Sequence, residues 1–168
     1  MRSLPDPGFA GDDGTAPPEV VAALAAYAED PGARQAETLA VLQHARLLVP
    51  VVAVLGEVEV DERGLARDKT SDMAAVLMRG QDGRTALLAF TGSEALRAWN
   101  PEARPVPVTA RDAARSARQE DAEALVVDVA GPVLFVVEGE DLVALAEGWT
   151  LTRVSGPAPA WAWARPDR

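Results

Sequence analysis

The sequence predicts a single α/β domain: a mixed sheet of about five or six strands with helices packed on it, an α+β arrangement being the alternative. Three observations carry this. Short runs rich in apolar residues, Leu47–Val54, Ala86–Phe90, Leu125–Val129 and Val133–Val137, read as strands, the first two of them buried. Helical spacing and capping residues mark the segments between them. The length of 168 residues, 48% hydrophobic, suits one ordinary core plus tails.

Residues 1–16 are crowded with Gly, Pro and Asp and read as a flexible N-terminal arm. The domain is expected over 17–154. Pro17 and Pro18 fit the first turn of a helix carrying Val20, Val21, Leu24 and Tyr27 at helical spacing. Asp30-Pro31-Gly32 ends it, and a second helix follows over Ala33–Ala45. The run from Leu47 contains Pro50, which lacks an N–H, so that strand is expected at an edge or beginning there.

From Leu55 to Thr70 the chain is polar and reads mostly as loop. Met73–Met78 and Thr85–Phe90 then form strands around an Asp82-Gly83 turn. Ser93 is expected to cap a helix over Glu94–Trp99, stopped by Asn100-Pro101. Pro105 and Pro107 place the next strand at an edge. Thr109 with Asp112 resembles a capping box on an Ala- and Arg-rich helix, whose thin apolar face should cover the sheet only lightly. Asp141 is expected to cap a last helix over Leu142–Glu147, ended by Gly148. A short strand over Leu151–Val154 precedes residues 155–168, a Pro- and Ala-rich tail in which Trp161 and Trp163 call for a surface to pack on. Gly92 and Gly139 each follow a strand and open a helix, a faint sign of an internal repeat.

The net charge of -10 argues against nucleic acid and against an anionic membrane surface as partners. No apolar run reaches bilayer length, and the N-terminus lacks a signal-peptide pattern, so the cytoplasm is the expected compartment. There are no cysteines, which excludes disulfides and thiolate chemistry. His44, the one histidine, finds no second His at ligand spacing. The acids Glu57, Glu59, Asp61 and Glu62 lack EF-hand spacing, so no metal or cofactor is expected. GxGxxG and GxSxG are both absent. No catalytic constellation is recognisable. A candidate binding surface remains: Asp68, Lys69 (the sole lysine), Thr70 and Asp72 at a strand entry, with Thr91, Gly92 and Ser93 before a helix, provided both lie at one end of the sheet.

LLVPVV near Leu47, DKTSDMAAVLM near Asp68 and ALLAFTGSEALRAW near Ala86, with the later ARPVPV and LVVDVAGP segments, resemble the SseB family, most closely its actinobacterial members. The resemblance spans roughly Pro17 to Val154. It implies a bacterial α/β domain of the SseB N-terminal type and a family label, enhanced serine sensitivity, that names a phenotype. It carries over no catalytic residue. The expected function is a non-enzymatic cytosolic interaction or regulatory module, engaging an unknown protein partner or itself. The alternative is a sensor binding an amino acid or anion at the helix N-terminus near Ser93.

Overall fold

A computed structural model describes residues 9–54, 59–60, 66–67, 72–158 and 160–167; residues 52–54, 59–60, 66–67 and 72–74 are described by their backbone alone. Helix α1 spans Pro18–Glu29 and α2 spans Pro31–Leu42. Proline occupies the first turn of each, where a missing N–H costs nothing. Asp30 both ends α1 and caps α2, its carboxylate accepting the Ala33 amide at 3.3 Å.

Strand β1, Arg46–Val54, runs through the interior of the sheet. After it come a two-residue ladder of β2 (Glu59–Val60) with β3 (Ala66–Arg67), then β4 (Asp72–Ala75), β5 (Leu77–Arg79) and β6 (Thr85–Ala89). Helix α3 (Ser93–Trp99) leads to β7 (Arg104–Thr109), and α4 (Ala110–Gln119) to β8 (Ala124–Val127). Strand β9 (Phe135–Glu138), helix α5 (Gly139–Ala146) and a hairpin of β10 (Thr150–Val154) with β11 (Ala160–Ala164) complete the chain.

The main sheet is mixed. One ladder has the order β4-β1-β7 and the other β5-β6-β8-β9, with β6 and β8 parallel and the other pairings antiparallel. Leu48 and Phe90 join them by exchanging both backbone bonds at 2.7 and 2.8 Å. The strand expected over Met73–Met78 breaks at Val76, which bonds to Pro50 on one side and to Leu88 on the other. There the chain leaves β1 for β6.

Pro50 therefore does not lie at an edge. Leu48 and Pro50 face the same side of β1, and the missing N–H of Pro50 falls in the gap where β4 and β6 part; only its carbonyl is needed, accepting Val76 N at 3.4 Å. Pro105 and Pro107 do mark an edge. They oppose Pro50 and Leu48, so their missing donors point away from β1, off the outer side of β7.

Alternate residues separate the two faces. Leu47, Val49, Leu87, Ala89, Leu125, Val127, Phe135 and Val137 turn towards α1, α2, α4 and α5. Leu48, Leu88, Phe90 and Val126 turn the other way, against Ala95 and Leu96 of α3. Helix α4 packs more closely than its thin apolar face predicts. Ala110, Ala113, Ala114 and Ala117 are all fully buried, because methyl-sized side chains let the helix backbone approach the sheet. Thr109 caps α4 as expected, accepting Asp112 N at 3.1 Å.

Two expected caps are corrected. Helix α3 begins at Ser93 with Gly92 as its N-cap, and α5 begins at Gly139 with Glu138 as its N-cap; neither has a side-chain cap. Asp141 lies in the first turn of α5, where its carboxylate accepts Trp163 Nε1 at 2.9 Å. Gly92 and Gly139 also differ. Gly139 has φ +61, Gly92 is extended at φ -161, and the helices they open pack on opposite faces. The segment expected as a tail contains β11, whose Trp161 and Trp163 pack against the main core.

Candidate functional site

Parallel strands β6 and β8 end side by side, and open α/β sheets characteristically bind ligands beyond the carboxyl ends of such strands. Here the ends are Thr91 and Asp128. Asp128 takes φ +54, a left-handed conformation that a short polar side chain tolerates. This turns its carboxylate back onto Thr91: Oδ1 accepts the Thr91 amide at 2.8 Å and Oδ2 accepts the Thr91 hydroxyl at 2.7 Å. Both residues are buried, Asp128 at 1% exposure. Burial holds the Asp128 carboxyl above the usual carboxylate range, against the opposing pull of the two Thr91 bonds.

Residues 12–16 lie across this end of the sheet as a strap. Arg46, the first residue of β1, holds it. Its guanidinium pairs with Asp12 at 2.8 Å, donates to the Thr15 carbonyl at 2.8 Å and donates to the Thr91 carbonyl at 2.8 Å. The Arg46 side chain is only 10% exposed, so these charge-assisted bonds work in partial shelter from water. Asp12 also accepts the Gly14 amide, which fixes the bend of the strap. The Gly14 carbonyl in turn accepts the Ser93 amide at 2.7 Å. That bond supplies what a side-chain cap would have done for the first turn of α3.

Gly92 is glycine for steric reasons. A Cβ there would lie 2.7 Å from Ala16 N and 3.0 Å from the Gly14 carbonyl oxygen. The same applies at Gly14, where φ is +81 and a side chain would strike Ser93 Oγ.

Beside the strap opens a cleft of about 760 Å³. Val21, Leu24 and Ala25 of α1 form one wall, with Pro132 and Val133 of the β8–β9 loop across from them. Thr91, Gly92 and Ser93 line its floor, and Asp13, Glu94 and Arg97 its rim. Asp13 is held below the usual carboxylate range by bonds from the Thr15 amide and hydroxyl.

Of the candidate residues read from the sequence, Thr91, Gly92 and Ser93 come together at this cleft. Asp68, Lys69 and Thr70 lie outside the described residues, as do Glu57, Asp61 and Glu62. Asp72 stands elsewhere. It pairs with Val54, whereas Thr91 follows the partner of Leu48, so the two are separated by about 20 Å along β1. His44 is exposed. Among the described residues no group of His, Cys, Asp or Glu is arranged to hold a metal ion, and no helix is long and apolar enough to cross a membrane.

Sequence reasoning missed Arg46 and Asp128. Asp128 had a signal, an acid closing the apolar run Ala124–Val127 just before Gly131-Pro132. Arg46 had little beyond its place at the head of a buried strand.

The described chain is thus an α/β domain with a cleft at the ends of parallel strands, closed on one side by its own N-terminal strap. The family model for the SseB protein N-terminal domain matches residues 20–144, well over half of the chain, and the protein belongs to the SseB family. No curated protein and no solved structure matches it.

Proposed function

We infer that this SseB-family chain is a non-enzymatic interaction or regulatory module of the bacterial cytoplasm, and that it recognises its partner in the cleft between α1 and the β8–β9 loop. One observation carries the reading: the groups there with chemical potential are already spent on each other. Asp128 and Thr91 satisfy one another out of reach of solvent, while what faces the opening is apolar wall and charged rim. Val21 is half exposed on that wall, and the rim above it carries two acids, Asp13 and Glu94, against one base, Arg97. The partner that fits is a protein segment bringing an apolar side chain beside a Lys or Arg.

Selection of a displayed peptide library on the purified protein tests this. Enriched peptides should share an apolar residue next to a basic one, and should lose binding to V21R and to E94K. Absence of enrichment, or binding indifferent to both changes, would overturn it.

The cleft volume also lies in the range of small-molecule sites, which supports the sensor of an amino acid or anion near Ser93 as a second reading. It is the weaker one, because the Ser93 amide is bonded to Gly14. A thermal-shift screen that includes serine separates the two, since a ligand of the native state must raise the melting temperature.

A further inference from the structure

We propose that β11 is a self-association edge, joining two copies of the chain by antiparallel pairing of Ala160–Ala164 with itself about Ala162.

The backbone geometry comes first. Leu151 of β10 lies directly opposite Trp163. Both polar groups of Leu151 are taken by the Gln43 side chain, its amide donating to Gln43 Oε1 at 2.7 Å and its carbonyl accepting from Nε2 at 2.9 Å. Leu151 and Trp163 are therefore a pair without mutual hydrogen bonds, and the N–H and C=O of Trp163 point away from β10. By the two-residue period the same holds for Trp161. Among the described residues no backbone group bonds to either on that side.

Such an edge is normally guarded by a charge, a proline or a bulge. Residues 160–164 read Ala-Trp-Ala-Trp-Ala and have none of these.

The occupant follows from the sequence itself. The stretch is palindromic, so a two-fold axis through Ala162 sets Trp161 opposite Trp163 and Trp163 opposite Trp161. Those are the residues whose backbone groups face out, so each pairing exchanges both bonds. Ala162 then meets its own copy in the close, non-hydrogen-bonded position, where a methyl group fits. The tryptophans share one face of the strand and lie directly opposite one another across the new ladder, within reach of cross-strand contact.

Charge agrees. Although the chain carries -10 overall, residues 148–166 contain no acid. On the tryptophan face, Arg153 lies opposite Trp161 in β10, and Asp141 is bonded to Trp163. The two-fold brings the Arg153 side of each copy towards the Asp141 side of the other.

Sedimentation of the full chain over a concentration series tests this, with A162K, A162E and their equimolar mixture. Ala162 is exposed on the face away from the core, so both variants keep the hairpin. The wild type should show mass-dependent dimerisation below about 1 mM. Each variant alone, placing like charges opposite one another, should dimerise about fivefold more weakly, and the mixture should recover wild-type strength or better. Amide exchange at Trp161 and Trp163 should slow as concentration rises. A wild type that stays monomeric throughout would overturn the proposal, as would a dimer untouched by both substitutions or a mixture that fails to recover.

Discussion

Asp128 accepts both the amide and the hydroxyl of Thr91, so the ends of two parallel strands are tied by one carboxylate that water scarcely reaches. Replacing it by Asn keeps an acceptor for the Thr91 amide and a residue type at ease with positive φ. Replacing it by Ala removes both bonds and puts a Cβ-bearing residue without local polar compensation in the left-handed region. D128A is expected to lose about 3 kcal/mol and D128N markedly less, measured by urea unfolding.

The same carboxyl sets a pH dependence. Its native pKa is raised by burial above the unfolded value. The folded state therefore binds the proton more tightly than the unfolded chain does. The stabilising contribution of Asp128 is full below about pH 4 and is lost as pH rises through the native pKa. The stability of wild type relative to D128N should accordingly decline as pH rises above about 4, the unfolded carboxyl's range. A difference that grows with pH would mean that the Thr91 bonds, and not burial, dominate the carboxyl.

Arg46 and Gly92 secure the strap from opposite sides. R46A removes the charged bonds to Asp12 and to the Thr15 and Thr91 carbonyls and should cost about 2 kcal/mol. G92A should cost about 1–3 kcal/mol by pushing on Ala16 and Gly14. Both displace the same segment, so the double variant should lose less than their sum. Limited proteolysis should cut within residues 9–16 sooner in either single variant than in wild type. Strict additivity would show that the two contacts act independently.

What was legible in the sequence was local. The Asp82-Gly83 turn forms, with Gly83 at φ +85 and Gly80 N bonded to the Arg84 carbonyl, because all of its determinants lie within a few residues. Thr109 caps α4 for the same reason. Pro105 and Pro107 announced an edge correctly, while Pro50 did not. A proline excludes only the bond its own N–H would make, and whether a neighbour needs that bond depends on which way the residue faces. Ser93 looked like a cap because Ser before a helix often is one, but here it is the first helical residue, and its own amide is accepted by the carbonyl of Gly14, far away in sequence. Arg46 meets Asp12 across 34 residues and Thr91 meets Asp128 across 37; neither pairing leaves a periodic trace. The alternation of Ala160–Ala164 was visible as a strand pattern, yet Pro157 and Pro159 beside it made the whole stretch read as a tail.

The last prediction concerns how the C-terminal hairpin is held. Gln43, just past α2, uses its side-chain amide as a substitute strand, matching donor to acceptor and acceptor to donor on Leu151. Q43A should cost about 1–2 kcal/mol and speed exchange of the Leu151 amide, since that group then turns to water or goes unpaired. Q43E should be worse than Q43A near neutral pH. It retains an acceptor for the Leu151 amide but sets a second oxygen, charged, against the Leu151 carbonyl. Tryptophan fluorescence should shift to the red in both variants as Trp163 loosens from Asp141 and the core. A Q43E protein as stable as wild type would mean that the donor half of the pairing is dispensable, and that the hairpin is held by Leu151, Trp161 and Trp163 burying apolar surface against the core.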